Sequence, residues 1–302
     1  LLGIRILITK LLGYMYDICC IGHLTHDKII TPTHTVDMAG GTSFYFSHAM
    51  RKMAVNYHLV TALAKEDVAF VEALIQSGVS TTVLASQHTV YFENIYPDQS
   101  DHREQKVLFT ADPFQLEDIA HLQSSIFHLG PLLAEDISPA LIQSLATKGT
   151  LSLDVQGYLR KVMDQEVVAT TWDQKNEVLP YISILKANET EAEKLTGYSN
   201  HYDAAKSLAD AGVKEVIITL GSKGSLIYAE ENFYEVPAIP PTAIVDATGC
   251  GDTYMAGYLY QRFQNKNYYE AGLFGAAMAS IKIAASGPFN GNETAVTHAL
   301  KS

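Results

Sequence analysis

Val245-Asp246-Ala247-Thr248-Gly249-Cys250-Gly251-Asp252-Thr253-Tyr254-Met255-Ala256-Gly257 is the stretch on which the reading of this chain turns. Two glycines flank one small residue, and an apolar helical pattern follows. Backbone without side chains lets an anion approach successive N–H groups, and the positive end of the following helix points at the same spot. An acid there repels phosphate, so Asp252 makes poor sense as an anion ligand. It makes sense as a base, accepting the proton of a hydroxyl that attacks phosphorus while the N–H groups hold the developing charge. The run reads equally well as a glycine-rich loop capping a helix, with Asp252 a favourable first-turn acid. Gly-x-Gly alone does not separate the two. The P-loop pattern Gly-x-x-x-x-Gly-Lys-Ser/Thr is missing, and Gly221-Ser222-Lys223-Gly224-Ser225 has the wrong spacing for it.

Upstream, short apolar runs alternate with amphipathic stretches. Strands are expected at 17–21, 57–62, 79–84, 125–129, 150–154, 182–186 and 215–219. Helical patterns fall at 43–53, 67–77, 137–147, 189–195 and 202–211, a hairpin at 225–236, and helices at 256–263 and 269–285. This alternation predicts βαβ units: an α/β fold with a doubly wound, mostly parallel sheet and helices on both faces. Lys28–Asp37 and His88–Phe109 break the pattern, being β-rich and polar on one face. They are expected to form a small β-sheet lid inserted into a single domain spanning 16–302. Residues 1–15 read as an N-terminal extension from a start site placed too early, since Met15-Tyr16-Asp17-Ile18-Cys19-Cys20-Ile21-Gly22 looks like the natural opening of a first strand.

With 302 residues, 47% apolar and 18% charged, the composition is that of a globular enzyme. A net charge of −12 argues against a nucleic-acid surface, which needs basic patches. The apolar N-terminal run is interrupted by Arg5 and Lys10, so a membrane span of about 20 apolar residues is not expected. Three cysteines, none at metal-site spacing, fit a reducing cytoplasm.

The Asp-x-Thr-Gly-x-Gly-Asp run resembles the C-terminal signature of the ribokinase-like (PfkB) carbohydrate kinases. Other landmarks resemble that family in order. They are Gly22-His23-Leu24-Thr25-His26-Asp27, Gly40-Gly41-Thr42, Asn188-Glu189-Thr190-Glu191 and Thr219-Leu220-Gly221-Ser222-Lys223-Gly224. The resemblance implies an ATP-dependent kinase phosphorylating a hydroxyl of a small sugar or cyclitol. It implies Asp252 as catalytic base with Gly249, Cys250 and Gly251 forming the anion hole. Asn188 and Glu191 would organise Mg²⁺ and phosphates through water, although the pair is also a near-complete capping box. Thr219, Gly221 and Gly224 would line the nucleotide, and Asp27, Gly40, Gly41 and Thr42 would meet the substrate. An ionised Asp27 only accepts hydrogen bonds, which suits two sugar hydroxyls. It also reads as a solvated acid at a strand end. A monovalent cation such as K⁺ beside the Asp246 loop, and a homodimer through the lid, are common in relatives.

Ribokinases proper carry Lys and Asn where this chain has Thr42 and Tyr45, and a substrate-contacting Glu near His128-Leu129-Gly130-Pro131, so ribose in its usual pose is not expected. Gly41-Thr42-Ser43-Phe44 and Leu153-Asp154-Val155-Gln156-Gly157-Tyr158-Leu159-Arg160 are similar to inositol kinases. Asp154 and Arg160 themselves read better as a strand-end acid and a surface base. Two alternatives stay open. One is a nucleoside kinase with a base pocket from Phe44, Tyr45, Phe46, Tyr91 and Phe92. The other is an inactive sugar-binding relative.

Overall fold

The computed structural model describes residues 15–95 and 104–301. Residues 1–14 of the expected extension and 96–103 of the second lid segment lie outside the described residues, and Met15 already belongs to the first strand. Nine strands form one sheet: β1 (Met15–Ile21), β4 (Tyr57–Leu63), β5 (Ser80–Ala85), β8 (Gln123–Leu129), β9 (Thr150–Asp154), β12 (Ile184–Asn188), β13 (Glu215–Thr219), β14 (Ser225–Ala229) and β15 (Asn232–Val236). Their order is β15-β14-β13-β12-β9-β8-β1-β4-β5. All pairings from β12–β13 to β4–β5 are parallel, and the β13–β14–β15 edge is antiparallel.

The runs are apolar on both faces because both faces are covered. In β1, Ile18 and Cys20 join one core, while Cys19 and Ile21 join the other. The first core receives α1 (Thr42–Met50), α2 (Ala69–Gln76), α6 (Cys250–Phe263), α7 (Tyr268–Ile283) and α8 (Glu293–Ala299). The second receives α3 (Pro139–Ala146), α4 (Glu189–Thr196) and α5 (His201–Asp210). Cys19 and Cys20 are core residues, and all three cysteines are unpaired. Among the described residues no helix is long and apolar enough to cross a membrane.

The chain runs from β1 outward through β4 to β5, then returns to place β8 on the other side of β1. Strand order therefore reverses between β1 and β8, and ligands of doubly wound sheets bind in the crevice that such a reversal opens at the carboxyl ends of the strands. Gly22 and Gly130, just past those ends, lie against each other: a Cβ on Gly22 would sit 2.5 Å from the Gly130 carbonyl oxygen.

A second sheet has six strands in the order β10-β11-β7-β6-β2-β3. They are β2 (Thr25–Ile30), β3 (Thr35–Gly40), β6 (Val90–Ile95), β7 (Glu104–Phe109), β10 (Arg160–Met163) and β11 (Glu166–Ala169). The described parts of the two irregular segments belong to this sheet, and the first strand pair is longer than 28–37, taking in Asp27 and Gly40. The β10–β11 hairpin was not expected. Its turn, Asp164-Gln165, adopts positive φ (50° and 67°) without the Asn-Gly or Asp-Gly that usually announces such a turn. Each insertion leaves the main sheet after the carboxyl end of β1, β5 or β9, which sets the second sheet over that crevice.

Candidate active site

A cleft of about 700 Å³ opens between the two sheets. It brings together Asp27, Gly41, Thr42, Asn188, Thr219, Gly249, Gly251 and Asp252 from five separate parts of the sequence. The remaining candidates, Gly40, Cys250, Glu191, Gly221 and Gly224, are not among the residues that line it.

Gly249 is the N-cap of α6 with φ 73°, a left-handed conformation that favours glycine, and a Cβ there would lie 2.2 Å from the Tyr45 ring. The cap thus turns the backbone under Tyr45 and points the start of α6 into the cleft. Among the candidate anion-hole donors, the Cys250 N–H already donates to the Ala247 carbonyl (3.2 Å). Its thiol lies toward the Ala279 carbonyl (3.9 Å), and burial raises that thiol to about 11, so it is not a reactive thiolate. Gly251 lies close under Lys186: a Cβ there would come 3.2 Å from Lys186 Nζ, so the ammonium would have to shift slightly to admit one.

Asp252 is half-buried in the first turn of α6. Desolvation raises its carboxyl most, and Asp154 adds to the rise. The Lys186 ammonium and a hydrogen bond donated by the Thr42 hydroxyl pull it back, and the balance is about 7. An acid poised near neutrality is what general-base chemistry needs, and helix capping does not require it.

Lys186, in the middle of β12, and Asp154, at the carboxyl end of β9, are register partners and form a buried ion pair, Nζ to Oδ2 2.8 Å. Desolvation opposes the charge on each, and the partner's charge more than compensates: Asp154 lies below and Lys186 above its ordinary range. Asp154 does end β9, as expected, but its carboxylate is buried against Lys186, a partner not expected from the sequence, and both Asp154 and Arg160 line the cleft. The available signal was Lys186 itself, one charge inside the apolar run Ile184-Leu185-Lys186-Ala187.

Asn188 and Glu191 complete a reciprocal capping box at α4. The Glu191 N–H donates to Asn188 Oδ1 and the Asn188 N–H donates to Glu191 Oε2, both at 2.8 Å. Gln156 Nε2 donates to the other Glu191 oxygen (3.3 Å). Among the described residues no three His, Cys, Asp or Glu side chains converge on a metal-sized site. This donor set fits Mg²⁺ that keeps its waters and is held mainly by phosphate, and it does not form a dedicated cage.

On the second sheet, Gly40 leaves room for Asp27: a Cβ at 40 would lie 2.2 Å from Asp27 Oδ2. Asn94 and Gln105, cross-strand partners on β6 and β7, also line the cleft, and Gln105 Nε2 donates to Asn94 Oδ1 at 2.9 Å. Gly224 (φ 99°) serves the turn before β14, where a Cβ would strike the Val236 carbonyl at 2.0 Å.

A doubly wound sheet, a small sheet over its carboxyl edge and a glycine-capped acid between them define the ribokinase-like fold. The chain belongs to the pfkB family of carbohydrate kinases, whose description matches residues 54–295. It is therefore a phosphotransferase with an alcohol group as acceptor. It is 27% identical to a cytidine kinase of Thermococcus kodakarensis over 255 residues, 81% of this chain and 88% of the relative. It is similar to a pyrophosphate-dependent kinase in the ribokinase family, solved with a pyrophosphate analogue and myo-inositol. The TM-score is 0.82 at 28% identity, covering 90% of this chain and 97% of that one. The ribokinase of Arabidopsis thaliana, solved with ribose and ATP, shares the fold at TM-score 0.79 and 22% identity, covering 96% and 100%.

Proposed function

We propose that this protein transfers a terminal phosphoryl group to a hydroxyl of a small sugar or cyclitol, with Asp252 as the general base. One observation carries the reading: Asp252, held near neutrality at the start of α6, shares a single cleft with Asp27 on the opposite sheet. Asp27 accepts hydrogen bonds from acceptor hydroxyls and presents one of them to Asp252. Asp252 takes that proton as the oxygen attacks phosphorus, and the backbone N–H groups of Gly249 and Gly251 face the phosphoryl oxygens. Asn188 and Glu191 would hold Mg²⁺ through water, and the ion would supply neutralising charge for the phosphates. The second sheet covers the acceptor and keeps out water, a competing nucleophile.

The acceptor wall favours a polyol over a nucleoside. Asp27, Asn94, Gln105, Gln156 and Arg160 give it donors and acceptors. Of the aromatics, Phe44 and Phe46 are core residues and Tyr91 stacks on His26, while Tyr45, packed on Gly249, and Phe92 line the cleft and are the two rings a nucleoside base would have to meet. Incubating the enzyme with inositols, pentoses, hexoses and nucleosides, and following the phosphorylated product by mass, is expected to single out a polyol. Phosphorylation of cytidine or adenosine alone would overturn the substrate class.

ATP is the donor in this reading. Pyrophosphate is a second reading, favoured by two observations. The cleft wall reaches Thr219 but takes in neither Gly221 nor Gly224, and the inositol-bound neighbour at 28% identity uses pyrophosphate. Running the same panel with each donor separates them.

Gly40→Ala drives a methyl group against the Asp27 carboxylate. The expected result is a rise in acceptor KM of roughly ten-fold or more with donor KM unchanged. Steady-state kinetics with each substrate varied in turn measures it, and an unchanged acceptor KM would remove Asp27 from the acceptor site.

A further inference from the structure

Lys282 lies in the last turn of α7, and its side chain has no exposed surface. Its ammonium donates to two oxygens of one residue: the Asp246 carbonyl at 2.7 Å and Asp246 Oδ2 at 2.8 Å. Burial raises the Asp246 carboxyl, but the Lys282 bond and the N–H of Thr248 (2.9 Å to Oδ1) hold it below its ordinary value. The N–H groups of Val245 and Asp246 donate to the Ile283 carbonyl at 2.9 and 3.2 Å. The strand of loop that leads into Gly249 is therefore fixed to the end of α7 by both charge and backbone.

The family resemblance suggested a monovalent cation beside this loop. The residues present do not fit one. A bound K⁺ needs a set of free oxygens, and the carbonyl and one carboxylate oxygen of Asp246 are already taken by a buried positive charge. A second cation there would face the repulsion of the first at short range. We propose that Lys282 is a built-in cation: it fixes the Asp246 loop and supplies the local positive charge, so that phosphoryl transfer in this protein needs no K⁺. Lys282 is then a positioning residue acting through Asp246 on the anion-binding turn.

The proposal rests on the kinase reading, and one half of its test does not. Thermal unfolding of the wild-type protein is followed in KCl, NaCl and choline chloride at equal ionic strength. No K⁺-specific rise in Tm is expected, whereas a saturable rise confined to K⁺ would show a bound ion and overturn the proposal. With donor and acceptor in hand, wild-type rates are expected to agree within about two-fold across the three salts, and activation by K⁺ of roughly five-fold or more would also overturn it. Lys282→Ala opens space for an ion. It is expected to lose about ten-fold or more in donor kcat/KM in choline chloride and to recover selectively with K⁺. Lys282→Met fills the space without charge and is expected to stay impaired in all three salts. Wild-type rates from both variants in choline chloride would overturn the proposal. Should no acceptor be phosphorylated in any salt, the kinase reading fails, while the unfolding series still decides whether K⁺ binds.

Discussion

Asp252→Asn is expected to lower kcat by roughly 10²–10⁴, the range for a positioned general base. The amide keeps the shape and the hydrogen bond from Thr42 but has no basic oxygen to take the proton. Donor KM should barely move, because the backbone of Gly249 and Gly251 is untouched. The pH profile gives an independent reading. With the Asp252 carboxyl at about 7, a protonated base at lower pH cannot accept, so wild-type kcat/KM for the acceptor should rise with pH and level off above 7. The variant should lack that limb. Stability should move the other way. A carboxyl whose folded-state value is raised costs the folded protein stability as pH rises from about 4 toward its folded value, and the cost is complete above it. Asp252→Asn should therefore unfold at a higher temperature than wild type at pH 8, with little difference at pH 4. A variant that is both fully active and no more stable would remove Asp252 from both roles.

Lys186→Met has the largest expected effect on the fold. It leaves Asp154 buried and ionised without its partner, a change that costs about 3–5 kcal/mol in comparable buried pairs. For a chain of this size that lowers Tm on the order of 10 °C. Adding Asp154→Leu removes the stranded charge and should restore most of the loss, since a buried pair replaced by apolar groups of similar volume is often close to neutral. Activity should not return in the double variant, because Lys186 also holds the Asp252 carboxyl down and sits 3.2 Å from the place a Cβ on Gly251 would occupy. Calorimetry on the single and double variants, with rates on the same samples, makes the comparison. Full activity in the stable double variant would confine the pair to folding.

The structure shows why some of these residues were legible and others were not. Asp252, Gly249 and Gly251 announce themselves locally, because a glycine-flanked acid ahead of an apolar helix is a short-range pattern. Asn188 and Glu191 do so as well, through the three-residue spacing of the capping box that the structure realises. Strands β9 and β13 fall where the apolar runs end, at Asp154 and Thr219. Asn94 and Gln105 were invisible because each is an ordinary polar residue on a β-strand, and only the β6–β7 register sets them side by side over the cleft. The β10–β11 hairpin was missed because its turn uses Asp164 and Gln165 in a conformation their identities do not advertise.

The alternation that makes a doubly wound sheet, the family and the acid at the start of α6 could all be read along the chain. Those are properties of period, cap and turn, which depend on neighbours along the chain. Tertiary structure alone decided what surrounds that acid. Lys186 and Asp154 come from strands 32 residues apart, and Lys282 and Asp246 meet across 36. Charge acts through space, so whether Asp252 is a helix-capping acid or a base poised near neutrality depends on groups the sequence pattern never placed beside it.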